Sequence, residues 1–262
     1  MMNVFERTVN ETVLSGIAPL QQNYFGVFDG YVEHPLAYRA HTTLFTTASG
    51  TVDEIRDLVN DNELGVRLSL RNLAHAIRTM QELSDKDHTI RWISVEASLS
   101  LLKNKDALAL ISDVLEKEHC EDASKICLEF LPYKSDDDFE QIKIGMADVK
   151  ACGLMIGIAP IGQNFAISTL VDLPIDYVVL SEEMTALATD RNKPGVLAAL
   201  IGLLHTMNIQ VIAEGVDNDD QIRELTAVDC FGFLPLPTYT GEFMLPMGSL
   251  SRDEIMIGEA SL

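Results

Sequence analysis

Three glutamates, Glu96, Glu129 and Glu214, stand at or near the ends of short apolar runs: Trp92-Ile93-Ser94-Val95, Cys127-Leu128 and Ile209 to Ala213. Carboxylates gathered at one place are the donors that magnesium or manganese takes, and an ion held that way can activate water in a hydrolytic site. Such an ion wants about six oxygen ligands. Three acids are few. The other run ends carry Arg39, Ala159-Pro160-Ile161, Val179-Leu180-Ser181 and Phe231-Gly232-Phe233, none of them an oxygen-rich group. A strand-end acid that is buried costs several kcal/mol unless it is paired or metal-bound. The expectation is therefore that Glu129 and Glu214 are held by backbone N–H groups or by a cation such as Arg39. Weak metal binding by Glu96, Glu129 and Glu214 is the alternative. Ser98 and Ser181 have no His/Asp partner at usable spacing, so acyl transfer is unsupported, and His75 and His205 fall on helical stretches.

The elements that must position these residues follow a repeating pattern. Tyr24 to Val32 and Leu36 to Thr46 read as two neighbouring strands broken at His34-Pro35. Thr51 to Val59 reads as a capped helix and Val66 to Leu83 as a second, with Leu70, Leu73, Ile77 and Met80 on its buried side. Strands are then expected at Ile90 to Ala97, Ile126 to Leu131, Leu154 to Ala159, Tyr177 to Leu180, Ile209 to Ala213 and Cys230 to Leu234, with helices up to Glu118, at Asp136 to Ala151, at Pro194 to Met207 and at Asn218 to Ala227. Short apolar strands separated by helices pair in parallel through right-handed crossovers. Eight of them suffice to close an α/β barrel of the (β/α)8 type, in which functional groups sit at the C-terminal strand ends. An open doubly wound sheet is the second choice, since no glycine-rich phosphate turn follows any strand. The division expected is a leader over residues 1–22 and one barrel domain over 23–262.

Of the 262 residues 47% are hydrophobic, and 40 acids against 19 lysines and arginines give a formal charge of −21. Such acidity repels nucleic-acid backbones and anionic lipid, so neither is an expected partner. No apolar run reaches the roughly 18 residues of a membrane span. Cys120, Cys127, Cys152 and Cys230 lack paired spacing and read as reduced thiols of a cytoplasmic protein. Asp136-Asp137-Asp138 and Asp217-Asn218-Asp219-Asp220 fall at helix starts, where negative charge suits the dipole.

Four ordered segments carry a resemblance: Ile93 to Ser98, Cys127 to Phe130, Leu173 to Leu180 and, closest, Ile209 to Asp217 with Gln221 beyond it. They resemble the strand motifs of the EAL domains, which hydrolyse the bacterial second messenger cyclic di-GMP, and the likeness covers about Tyr24 to Pro246. It implies an EAL-type barrel with an antiparallel first strand. Carried over position by position, the resemblance puts Arg39 where the family has its name-giving metal-binding glutamate and Glu96 where it has an asparagine. Glu129 and Glu214 match family acids. Ala159 to Gly162 replaces the acidic D-D-F-G run, and no aspartate occurs between Val149 and Val171. Val179 stands for the catalytic lysine, Ser181 for an aspartate, and Phe231 for a glutamine. The implied reading has no catalytic residue, no metal ligand and no cofactor. It is a degenerate EAL barrel that regulates motility, biofilm formation or gene expression by binding another protein. A receptor that binds cyclic di-GMP without cutting it, with Arg39 meeting a phosphate, and a residual phosphodiesterase stand as alternatives. The family likeness also implies a homodimer formed around the catalytic loop.

Overall fold

Apolar residues at every second position of the short runs, and at every third or fourth position of the long ones, fix which side of each element faces which layer. The computed structural model describes residues 20–29, 35–44, 63–86, 89–133, 138–162, 164–193, 195–236 and 239. Eight strands form one sheet in chain order: β1 (Leu20–Val27), β2 (Ala37–Leu44), β3 (Trp92–Ala97), β4 (Ile126–Phe130), β5 (Met155–Ile161), β6 (Tyr177–Leu180), β7 (Gln210–Val216) and β8 (Gly232–Pro235). β1 runs antiparallel to β2, and every later neighbour is parallel. The ring is completed by an antiparallel bridge between Phe28 and Phe233, whose backbones exchange hydrogen bonds of 3.0 and 2.8 Å. The expected barrel is therefore formed, with its reversed first strand.

Helices α1 (Glu63–Lys86), α2 (Leu99–Leu102), α3 (Ala107–Lys117), α4 (Phe139–Ala151), α5 (Glu182–Thr185), α6 (Val196–Thr206) and α7 (Asp219–Ala227) lie between the strands in sequence. The expected helix at Thr51 to Val59 lies outside the described residues. Leu73, Ala76, Ile77, Met80 and Leu83 give α1 one fully buried stripe. That stripe belongs to the larger apolar core, which also holds the outward-facing strand residues such as Ile93, Val95, Leu128, Ile156, Val178 and Val211. A second, smaller core fills the barrel: Val27, Ala37, Trp92, Cys127, Ala159, Tyr177, Val179, Ile212 and Leu234. The two cores are the two faces of one sheet.

Helix ends follow the acidic clusters. Asp138 accepts from the Gln141 N–H at the start of α4, and Asn218 accepts from the Gln221 N–H at the start of α7 while Gln221 Oε1 accepts from the Asp217 N–H. The arrangement resembles a capping box in which Gln221 reaches one residue beyond the N-cap, and Asp219 and Asp220 in the first turn of α7 are favoured by the helix dipole. Among the described residues no helix is long and apolar enough to cross a membrane. The four cysteines form no disulfide.

Candidate functional site at the mouth of the barrel

Strand alternation turns Arg39 and His41 of β2, Ser94 and Glu96 of β3, Glu129 of β4 and Glu214 of β7 toward the axis, near the C-terminal ends of the parallel strands. Arg39 lies in register with Ser94, whose short side chain leaves room above the intervening strand. The guanidinium crosses that gap. Nε donates to Glu129 Oε2 at 2.9 Å and Nη2 to Oε1 at 2.5 Å, a two-pronged pairing in which the planar fork matches the carboxylate. Nη1 donates to Glu214 Oε2 at 3.1 Å on the far side of the ring. One side chain thereby links β2, β4 and β7.

The arginine and Glu129 are deeply buried, with side-chain exposures of 3% and 6%. Glu214 is 42% exposed, so it is a rim group rather than the buried acid its apolar strand suggests. Burial alone would raise the Glu129 carboxyl, but the Arg39 charge and hydrogen bonds outweigh it and hold the group below the usual carboxylate range. Burial likewise works against the charge on Arg39, and Glu129 and then Glu214 reverse that and raise its pKa.

Tyr177 completes the shell of Glu129, its hydroxyl donating to Oε2 at 2.9 Å. Its ring stacks on Trp92 with centroids 4.9 Å apart and planes 13° from parallel. It lies over Gly157, where a Cβ would come within 2.5 Å of the ring. Burial, then the neighbouring Cys127 and Glu129, push the Tyr177 hydroxyl well above its ordinary pKa, so it stays a donor. Burial also pushes the Cys127 thiol well up. Neither is a nucleophile. Glu96 pairs with His41, Nδ1 to Oε1 at 3.2 Å, and its backbone carbonyl accepts from Asn72 of α1 at 3.0 Å.

Arg39, Glu129 and Glu214 come together as the expectation of a paired acid requires, and Glu96 lies one strand away beside His41. Val179 sits inside the barrel as a fully buried apolar residue. Phe231 is not a mouth residue. It precedes β8, its N–H bonds the Val211 carbonyl near the start of β7, and the Arg91 guanidinium lies 5.5 Å from its ring centre, all at the opposite end of the strands. The run from Cys230 read as strand, but ladder pairing of β8 begins only at Gly232. Tyr177 and Trp92 are the residues sequence reasoning missed, because both read as ordinary apolar strand positions.

A divalent cation would need free carboxylate oxygens here. Both oxygens of Glu129 face Arg39, one of them also accepting a hydrogen bond from the Tyr177 hydroxyl, and Glu214 Oε2 accepts from the same guanidinium. The donor set does not fit a bound metal, and among the described residues no three of His, Cys, Asp and Glu are grouped to hold one.

Comparison with known proteins agrees with this barrel. A stretch of 140 residues, 52% of the chain, is 30% identical to the uncharacterized protein Rv1354c of Mycobacterium tuberculosis, and covers 22% of that protein. The chain thus spans about a fifth of the curated relatives it matches. Among solved structures, the PaMucR phosphodiesterase in its c-di-GMP complex superposes with a TM-score of 0.75 at 18% identity, covering 95% of this chain and 98% of that one. An EAL domain protein from Listeria monocytogenes EGD-e gives 0.74 at 18% identity, with both chains covered completely, 100% and 100%. The sequence matches the family described as "EAL domain" over residues 26–234, the span that runs from β1 through β8, and the chain therefore belongs to the EAL domain family.

Proposed function

We propose that this EAL domain does not hydrolyse cyclic di-GMP and works by binding a protein partner, in the regulation of motility, biofilm formation or gene expression. EAL domains belong to cyclic di-GMP signalling, and the scaffold is that of its phosphodiesterases. The observation that carries the proposal is the Arg39 guanidinium set between Glu129 and Glu214. In this reading Arg39, Glu96, Glu129, Val179 and Glu214 are vestiges of the family site, with no catalytic residue among them. Metal-assisted hydrolysis of a phosphodiester uses a divalent cation to polarise the phosphoryl oxygens and lower the pKa of water. A guanidinium saturated by carboxylates does neither. Val179 adds the second support, since an apolar side chain in the filled barrel interior can neither donate a proton nor stabilise charge.

The receptor alternative draws less from this geometry. A phosphate reaching Arg39 would have to compete with two carboxylates already bonded to it. The experiment is incubation of the purified protein with cyclic di-GMP and Mg2+ or Mn2+, followed by chromatography of the nucleotides. No linear dinucleotide is expected. Product formation that is lost in Glu129→Gln would overturn the proposal, and calorimetric binding of cyclic di-GMP abolished by Arg39→Ala would favour the receptor.

A further inference from the structure

We propose that Arg39 is the built-in counter-ion of the barrel mouth: it holds the place of a divalent cation between Glu129 and Glu214, keeps such ions out, and leaves a latent cation site that its removal exposes. Three observations support this. The guanidinium bridges carboxylates from two strands that do not neighbour its own, which is the cross-linking a metal ion performs when its ligands come from separate strands. It is buried to 3% side-chain exposure, so its charge is not spent on solvent. The surrounding shell is otherwise built for a charged centre: the Tyr177 hydroxyl orients Glu129, Gly157 makes room for the Tyr177 ring, and Glu96 stands in register with Glu129 on the adjacent strand. Removal of the arginine side chain takes the guanidinium from between Glu129 and Glu214 and leaves Glu129 with the Tyr177 hydroxyl as its hydrogen-bond donor, while Glu96 stays paired with His41. Two carboxylates about the space left by a guanidinium are ligands of the class that manganese and magnesium take, with water filling the remaining positions.

The inference rests on the non-catalytic reading of the same residues, and the two fail separately. Hydrolysis of cyclic di-GMP by the wild-type chain would end the functional proposal. This one is tested by thermal unfolding of three proteins with and without MnCl2, since a ligand that binds only the folded state raises Tm. The wild type is expected not to respond. Arg39→Ala is expected to melt lower without metal and to gain about 5 °C with saturating manganese, and Arg39→Ala combined with Glu129→Gln is expected to lose that gain. A wild-type response equal to that of Arg39→Ala, or no response in Arg39→Ala, overturns the proposal. If Arg39→Ala does not accumulate as folded protein, refolding from urea gives the same reading. Recovery only in manganese supports the proposal, and failure with and without it overturns it. Manganese electron paramagnetic resonance on the wild type is independent of any variant, and a bound-ion signal there also overturns the proposal.

Discussion

At the scale of single residues, the Arg39–Glu129 pair is costly to make and more costly to break. Taking both charges out of water consumes most of their attraction, whereas deleting one leaves the other buried without compensation. Arg39→Met or Glu129→Leu alone is therefore expected to lower the unfolding free energy by about 3–5 kcal/mol, and the double substitution by clearly less than the sum. A double-mutant cycle in urea measures the difference. The sign of the pH dependence follows from Glu129, whose folded pKa lies below its unfolded value of about 4.3. The contribution is complete above that value and is lost as pH falls through the folded one, so stability declines on acidification below about pH 4. The decline is expected to be shallower in the double variant. Cys127, fully buried with its thiol pushed up, is expected to resist alkylation at pH 8 until the chain unfolds, and mass mapping of the modified cysteines checks this.

At the scale of elements, packing of the outer layer depends on a contact without side-chain volume. Gly145 of α4 faces α2, where an added Cβ would come within 2.1 Å of the Leu102 carbonyl oxygen. Backbone cannot rotate away as a side chain can, so Gly145→Ala is expected to cost about 1–3 kcal/mol, read as a lower urea midpoint with an unchanged slope. The strands and most helices were legible beforehand, because their apolar spacing has two clear periods and their starts carry Asp or Asn caps. The paired state of Glu129 was legible from the cost of a lone buried acid. Tyr177 was not, since its hydroxyl meets a residue 48 positions away and that meeting exists only once the ring of strands closes. Phe231 was placed at the wrong end because an apolar run shows where a strand can lie but not where its ladder begins.

At the scale of the whole molecule, charge and topology act together. With 40 acids against 19 lysines and arginines, the surface repels itself, and added salt screens that repulsion over about 10 Å at 0.1 M. Raising sodium chloride is therefore expected to increase Tm, an effect the desolvated Arg39 cluster does not oppose. The reversed first strand has a further result. Leu20 pairs with Leu44 at the C-terminal end of β2, so the polypeptide enters the ring from the rim, and it leaves β8 at Pro235 on that same rim. The outer ends of the first and last strands, Leu20 and Pro235, thus border the opening into which Arg39 points rather than the floor beneath it.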